Sequence, residues 1–356
     1  MNVHPRPNPI IAALYTLRDI DVDVVVIHGP SGCGFMASRM IENAGIRVVT
    51  TAMTDNDLIF GASENLITVL RDAEKRFSPK SIAVIGTCAS MIIGEDMKAS
   101  IKRANLGCNV FSVDCHGCMG DNTKGAIRAV EAAAAAGIVE KDEADRQKYL
   151  LAAATEMEKR VGMASVDYLP PSGGPTKLGV ARKIIDYLSG NGKVAVIILS
   201  KKELAYRFSD MFLAVKEAKD KVGGETFFIS NLDDDKGLPR FRRYAIDIRK
   251  ELNDNGIELN SVGGLDEYAV IGREMEEKVN EFQPDLKVIV GIPHAYPVLN
   301  ADDILITDQP RQLSNYLFKG YNAVGEISSH SMVMNTNTII STETGDTIRE
   351  LLKGSK

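Results

Sequence analysis

Apolar, β-branched segments alternate with helix-forming segments along most of this chain. Val24–Ile27 leads into a glycine-rich loop and a helical pattern, and the next apolar run is Ile46–Thr51. Further predicted elements are helices near residues 63–77 and 94–105, and strands at Ser81–Gly86 and Asn109–Val113. Continuous apolar strands separated by helices are typical of a parallel sheet covered on both faces. The pattern therefore predicts an α/β protein with two to three Rossmann-like, doubly wound parallel-sheet domains.

The segment Leu169–Pro175 interrupts this alternation, because its prolines and glycines sustain neither a helix nor a strand ladder. We place a domain boundary there, between residues 1–168 and residues 169–356. The second region is open to division into subdomains 176–285 and 286–356. Its predicted strands are Lys193–Leu199, Glu225–Ser230, Ile257–Val262, Lys287–Ile292 and Asp303–Thr307.

Charge and hydropathy exclude several functional classes. The formal net charge of −6 provides no broad cationic surface, so nucleic acid is not expected as a ligand. No apolar run approaches the roughly 20 residues that a membrane-spanning helix needs. The first nine residues lack the charged and apolar pattern of a secretory signal. We therefore expect a cytoplasmic protein.

All five cysteines lie in the first third of the chain. An odd number of cysteines in a compartment that keeps thiols reduced argues against a disulfide framework and favours metal or redox chemistry. Simple packing as small apolar residues is the alternative for any one of them. Three of them, Cys33, Cys88 and Cys115, follow predicted strands closely. Ligands of open parallel sheets bind at this edge.

The loop His28–Gly34 has the glycine spacing of a phosphate-binding loop, but Phe35 and Met36 replace the lysine and the hydroxyl residue. A dinucleotide site is also disfavoured, because Ala52 stands where an acidic residue would bind the ribose. We therefore expect no direct binding of ATP or NAD. The remaining interpretation is a glycine-rich turn that holds the Cys33 thiolate.

Two sets of metal ligands are consistent with the residues alone. Cys33 and Cys88 provide two thiolates, and a homodimer would bring the four that a cubane cluster usually requires. The rival set is Cys108, Cys115 and Cys118, spaced C-x6-C-x2-C. The residues by themselves do not decide between the two sets.

Four motifs resemble nitrogenase component 1 α chains, in the same order. They are His28–Gly34, Thr54–Gly61, Cys88–Asp96 and Val113–Gly117. The resemblance implies a nitrogenase component 1-like fold. It also implies that Cys33 and Cys88 bind an iron–sulfur cluster at a subunit interface, whereas Cys115 does not.

Two departures from the nitrogenase pattern narrow the resemblance. Residues 1–32 contain no cysteine, which fits a 4Fe-4S cluster that bridges two identical subunits through Cys33 and Cys88. No cysteine follows Cys118, so dinitrogen reduction is not expected. The chain is most similar to the nickel-tetrapyrrole reductive cyclases of this group. Their likeness implies reduction and cyclisation of Ni-sirohydrochlorin a,c-diamide, for the nickel tetrapyrrole coenzyme of methanogenesis. It also implies a transient complex with an ATPase that resembles the nitrogenase iron protein.

Other site residues are predicted from their chemistry. His116, His294 and His330 are candidate proton donors, because imidazole exchanges protons near neutral pH. Candidate partners for substrate carboxylates are Arg240, Arg242 and Arg243. Structural histidines and solvated arginines are the alternatives. For the whole chain, the alternative functions are a metallocofactor assembly scaffold, another tetrapyrrole reductase subunit, or a nucleotide-binding dehydrogenase.

Overall fold

The computed structural model describes residues 8–117, 119–120, 122–161, 175–267, 272–328, 330–334 and 336–354. At residues 35–37, 40, 157–161, 330 and 331 only the backbone is described. The chain divides into two compact units. The first is Met1–Glu156 with Leu238–Arg240, and the second is Met157–Gly237 with Phe241–Lys356. No helix in the described part of the chain has the length and apolar character needed to cross a bilayer.

The first unit contains a four-stranded parallel sheet in the order β2-β1-β3-β4. Its strands are β1 (Val24–His28), β2 (Arg47–Thr50), β3 (Ser81–Gly86) and β4 (Asn109–Val113). The central strands β1 and β3 are almost entirely buried, whereas β2 at the edge is partly exposed. Continuous apolar runs are therefore found where helices cover both faces of the sheet.

Eight helices lie wholly or mostly in the described part of the first unit. They are α1 (Pro9–Asp19), α2 (Phe35–Asn43), α3 (Asp55–Phe60), α4 (Ser63–Phe77), α5 (Cys88–Ile92), α6 (Met97–Ala104), α7 (Asn122–Ala135) and α8 (Lys141–Val161). Helix α4 shows why they form, because Leu66, Ile67 and Leu70 make an apolar stripe that packs against Val24 and Val84 of the sheet. The N-terminus of α1 is defined by Asn8, whose side chain accepts a hydrogen bond from the Ile11 amide.

The second unit contains a six-stranded parallel sheet in the order β10-β9-β8-β5-β6-β7. Its strands are β5 (Lys193–Leu199), β6 (Glu225–Ser230), β7 (Asn260–Ser261), β8 (Leu286–Gly291), β9 (Ile304–Thr307) and β10 (Asn322–Gly325). Its helices are α9 (Pro175–Ser189), α10 (Ala205–Phe208), α11 (Asp210–Val222), α12 (Pro239–Asp254), α13 (Gly272–Phe282), α14 (Pro310–Phe318), α15 (His330–Val333) and α16 (Glu343–Gly354). The chain runs outward from β5 to β7 and then outward from β8 to β10, so the strand order reverses between β5 and β8.

The predicted α/β class with parallel sheets is confirmed. The strand predicted at Ile257–Val262 is much shorter, since only Asn260 and Ser261 pair with β6 at the sheet edge. Strand β10 is absent from the prediction, because Ala323 and Val324 make too short an apolar run to be recognised. The predicted boundary at Leu169–Pro175 lies outside the described residues except for Pro175, which begins α9. Residues 176–285 and 286–356 both contribute strands to the six-stranded sheet.

Candidate metal centre

Cys33 and Cys88 follow the carboxyl ends of two neighbouring strands. Strands β1 and β3 are paired in register up to His28 and Gly86. Cys33 lies in the loop between β1 and α2, and Cys88 is the first residue of α5, directly after β3. The carboxyl ends of parallel strands lie on the same side of a sheet. Both cysteines therefore belong to loops on this side of the four-stranded sheet.

The two loops approach each other closely at Gly29. The Thr87 hydroxyl donates a hydrogen bond to the His28 carbonyl at 3.0 Å. A Cβ added to Gly29 would lie 2.6 Å from Thr87 Cγ2 and 2.9 Å from Thr87 Cβ, and closer still to Oγ1. Real Cβ atoms do not come so near, so only glycine fits at this position. Gly29 therefore allows the Cys33 loop to lie against the start of the Cys88 helix.

Local hydrogen bonds fix both cysteines. The Thr87 amide donates to Ser90 Oγ at 2.8 Å, and the Thr87 side chain in turn accepts from the Ser90 amide, which makes a capping box before Cys88. The Cys33 amide donates to the Pro30 carbonyl at 3.0 Å, which closes a turn. Gly34 follows with a φ of +105°, a left-handed conformation that glycine adopts without strain. The sequence thus holds each thiol on a defined turn or helix start.

The thiols of Cys33 and Cys88 are half-buried. Burial raises the pKa of the Cys33 thiol, and the neighbouring Cys88 raises it further. A bound metal would take the place of the proton, because the thiolate is the form that coordinates iron. Two half-buried thiols on adjacent loops therefore fit one half of a cluster site, with solvent-side access for further ligands.

One chain does not bring three such ligands together in the described residues of the first unit. The only group of three cysteine, histidine or carboxylate side chains with ligand atoms within 4.8 Å in the described chain is Asp233–Asp235, in the second unit. Four cysteines are the usual ligands of a 4Fe-4S cluster. Among the described residues of the first unit, a single subunit therefore brings together fewer ligand atoms than such a cluster usually takes.

His28 lies beneath the Cys33 loop and is completely buried. Its Nδ1 is 3.2 Å from Thr51 Oγ1, which also accepts a hydrogen bond from the Gly29 amide at 3.0 Å. Its Nε2 faces Glu95 at 3.8 Å. Desolvation lowers the pKa of His28, and the Glu95 carboxylate opposes that shift. His28 therefore supports the shape of the loop.

Cys115 and His116 leave β4 on the same edge of the sheet. A Cβ added to Gly117 would lie 3.9 Å from Cys88 Sγ, so this loop passes beside Cys88. Cys115 is only 1% exposed. Burial, Asp114 and Cys88 raise its pKa to about 12, so the thiol is protonated at neutral pH. The His116 Nδ1 is buried and has no hydrogen-bond partner among the described residues.

Cys108 lies at the opposite end of β4 from Cys115. It precedes β4, whereas Cys115 follows β4, and a strand advances about 3.3 Å per residue. The two cysteines are therefore about 20 Å apart and do not share one ion or cluster. Cys108 packs against the apolar cluster under α4, and burial raises its pKa. The rival set of Cys108, Cys115 and Cys118 is thus ruled out as a single site; Cys118 itself lies outside the described residues.

Large apolar side chains are exposed beside the cysteine loops. We call these residues the apolar patch: Leu58, Ile59, Phe60, Met91 and Ile92. Phe60 is 84% exposed and Ile92 is 77% exposed. The Glu95 carboxylate accepts a hydrogen bond from the Ala62 amide and so ties the end of α3 to the segment after α5. Clusters of exposed large apolar side chains are typical of interaction sites.

The other predicted site residues are distributed over the chain. Arg240, which belongs to the first unit, is buried and donates to Asp21 Oδ1 at 2.7 Å and to the Ala44 carbonyl at 2.9 Å. Arg242 and Arg243 are exposed on α12. His294 follows β8 in the second unit, and the side chain of His330 lies outside the described residues.

Comparisons with known proteins identify the family of this chain. A family model for nitrogenase component 1 type oxidoreductases matches residues 8–163. The CfbD component of the Ni-sirohydrochlorin a,c-diamide reductive cyclase complex of Methanothermobacter thermautotrophicus is 42% identical over 357 residues, which is 99% of each protein. The chain belongs to the CfbD family of nitrogenase component 1-type oxidoreductases. CfbD of Methanosarcina acetivorans is 41% identical, over 99% of this chain and 97% of that protein. A solved structure titled "Nitrogenase Cp1 at pH 6.5" is 14% identical over 98% of this chain and 88% of its own, with a TM-score of 0.38.

The matched region of this CfbD-family chain contains the cysteine loops and the apolar patch. Family membership also confirms the resemblance found in the sequence. Sequence reasoning missed the supporting roles of Thr51, Thr87 and Glu95. The quoted motifs contained a signal for the patch, because Leu58, Ile59 and Phe60 are successive apolar residues that one helix face cannot bury together.

Proposed function

We propose that this chain is the catalytic component of an ATP-dependent reductive cyclase acting on Ni-sirohydrochlorin a,c-diamide. In this proposal an iron protein-like ATPase is the partner that hydrolyses ATP. A 4Fe-4S cluster held by Cys33 and Cys88 of two identical subunits supplies one-electron transfer when bound. The product serves the nickel tetrapyrrole coenzyme of methanogenesis. The substrate is inferred from the names of CfbD relatives that are 38–42% identical over nearly the whole chain.

The position of Cys33 and Cys88 on adjacent strand ends is the observation that carries the proposal. Both thiols are partly accessible, whereas Cys115 is buried. Cys108 lies at the opposite, amino end of the strands. Two accessible thiolates per chain provide four in a two-fold symmetric dimer. The symmetric arrangement also accounts for the absence of a cysteine before residue 33.

The apolar patch supports a second copy of the chain as the subunit that completes the cluster site. Phe60 and Ile92 belong to segments next to the cysteine loops, and both side chains are largely exposed in the single chain. Aromatic and aliphatic side chains at the centre of an interface lose water on association and stabilise it. In the proposed homodimer the patch excludes water from around the cluster.

Proton delivery is the second task of the chain's own residues. His116 is the proposed donor nearest in sequence to the cysteine loops. Its buried Nδ1 has no hydrogen-bond partner among the described residues, so it could bind a substrate or water. His294 and His330 remain proposed donors. Arg242 and Arg243 remain proposed partners of substrate carboxylates, whereas the Arg240 guanidinium is held by Asp21.

Anaerobic purification of cysteine variants tests the cluster assignment. We expect the wild-type protein to be a dimer with about two iron and two sulfide per chain, and with a paramagnetic signal after reduction. Cys33→Ala and Cys88→Ala should lack the cluster, whereas Cys108→Ala, as the matched control, should retain it. A full cluster in Cys33→Ala, or in a monomer, contradicts the proposal.

Turnover tests the reaction itself. With the iron protein-like partner, ATP and Ni-sirohydrochlorin a,c-diamide, the absorption spectrum of the tetrapyrrole should change, and ATP should be consumed only when both components are present. A cofactor-assembly scaffold would bind a cluster and leave the tetrapyrrole spectrum unchanged. That result would exclude the reductase.

A further inference from the structure

The sheet of the second unit has a topological switch point between β5 and β8. Successive strands extend in opposite directions from this pair, so the loops after β5 and β8 leave the sheet on opposite sides. Open α/β sheets bind ligands at such a point, outside the carboxyl ends of the strands. We call this region, formed by Ser200–Lys202 and Ile292–Ala295, the β5/β8 edge.

Glycine holds the two strand ends close together. Gly291 has a φ of +93°, and a Cβ added there would lie 3.1 Å from the Leu199 carbonyl carbon and closer still to its oxygen. The Ile292 amide donates to the same carbonyl at 2.9 Å. The β5/β8 edge is thus a defined structure and not a loose loop.

Two neighbouring lysines at the β5/β8 edge have different environments. Lys202 is buried, its Nζ lies 2.7 Å from Glu267 Oε2, and it adopts a left-handed φ of +43°. Lys201 is half-buried and makes no ion pair within the described part of the chain. A β-branched or long side chain in the left-handed region is strained, and such strain is concentrated at functional sites. The strained Lys202 sets the direction in which the chain leaves Lys201.

Ser200 adds a polar group at the same position. The Asn231 side chain accepts from the Ser200 amide at 2.9 Å and donates to the Ser200 carbonyl at 2.8 Å, which fixes the Ser200 backbone. Ser200 is 1% exposed, yet its Oγ has no hydrogen-bond partner among the described residues. Buried hydroxyl groups are normally hydrogen-bonded, so an unpaired one at a ligand-binding edge indicates a missing partner.

His294 brings a third polar group from β8. The residue is exposed overall, but enough protein surrounds the imidazole for desolvation to lower its pKa. The charge of Lys201 lowers it further, and a hydrogen bond with Gln312 of α14 opposes that shift. Lys201 is therefore near enough to His294 for their charges to interact. An anion beside Lys201 would offset its charge.

We propose that the β5/β8 edge binds a carboxylate of the substrate, with Lys201 as the charge partner and His294 and Ser200 as hydrogen-bonding groups. This inference rests on the proposed function, because it takes its ligand from the carboxylate-bearing tetrapyrrole. Lys201 is assigned here as a substrate-binding residue, which the sequence did not indicate.

A fluorescence titration of the full-length protein with metal-free sirohydrochlorin tests the assignment, because it measures the affinity for the tetrapyrrole. We expect Lys201→Ala to weaken binding about tenfold, the order of effect of losing one charge-assisted hydrogen bond. Lys201→Arg should restore most of the affinity. Lys193→Ala is the matched control, because Lys193 is a partly exposed lysine at the opposite end of the same strand, and it should bind as the wild type does.

The outcomes separate this inference from the proposed function. Equal binding by Lys201→Ala and wild type, or an equal loss in Lys193→Ala, overturns the assignment of Lys201 even if the wild type turns over the substrate. Absence of tetrapyrrole binding or turnover in the wild type overturns the proposed function and this inference together. A raised KM with little change in kcat for Lys201→Ala would support a binding role.

Discussion

Replacing Gly29 with alanine should disrupt the contact between the two cysteine loops. The added methyl group would lie within 3 Å of the Oγ1, Cγ2 and Cβ atoms of Thr87. Thr87 is 1% exposed, so its side chain has no solvent into which it could rotate. The backbone must therefore move, and the movement separates the Cys33 loop from the start of α5.

The cost follows from two terms. Forcing a methyl group into a packed interior costs about 1–3 kcal/mol. Loss of the hydrogen bond from Thr87 to the His28 carbonyl costs about 0.5–1.5 kcal/mol more. The sum is about 1.5–4.5 kcal/mol, which corresponds to a decrease of about 0.8–2.2 M in the urea midpoint at a slope of roughly 2 kcal/mol per molar.

Gly32→Ala is the matched control in the same loop, because a Cβ there meets no atom within 4 Å. Urea unfolding of the cluster-free proteins and the iron content of the anaerobic proteins should both decline in Gly29→Ala and remain near wild type in Gly32→Ala. Adding Thr87→Ala to Gly29→Ala should recover part of the stability, since two of the three clashing atoms are removed. If Gly29→Ala matches Gly32→Ala in both measurements, the close approach does not position the cysteines.

Three further predictions concern other parts of the chain. Burial raises the pKa of the Cys115 thiol from an ordinary 9.0 to about 12. In cluster-free protein at pH 8, this thiol should therefore react with iodoacetamide about 1000-fold more slowly than an unperturbed thiol. Comparable rates, measured by mass spectrometry, would refute its burial. Glu326→Gln removes the negative charge that faces the buried cations of Lys177 and Arg207. It should cost about 3–5 kcal/mol of stability, a fall in Tm of roughly 6–20 °C. Lys216→Ala breaks an exposed ion pair and should cost less than about 1 kcal/mol, so similar Tm values for the two variants would contradict this prediction. Phe60→Asp should shift the sedimentation of the anaerobic protein towards monomer. Phe318→Asp, at a similarly exposed phenylalanine, should leave the dimer intact. A stable Phe60→Asp dimer would show that the apolar patch is not part of the interface.

The sequence by itself determined the fold class and pointed to the cysteine loops. Apolar strands at Val24–His28, Ser81–Gly86 and Lys193–Leu199 were predicted nearly to the residue, because both faces of a parallel strand are buried and the whole run is apolar. Family motifs favoured Cys33 and Cys88, but the residues alone left Cys108, Cys115 and Cys118 as a rival set.

Only the tertiary structure shows that Cys33 and Cys88 follow two paired strands, β1 and β3, because the pairing joins residues far apart in the sequence. It also shows that Lys201 follows β5 at the point where the strand order reverses, because this reversal depends on which strands pair across long sequence separations. Local sequence patterns report burial along each strand. Such patterns do not show which strands are neighbours in the sheet, because strand pairing depends on how the whole chain packs.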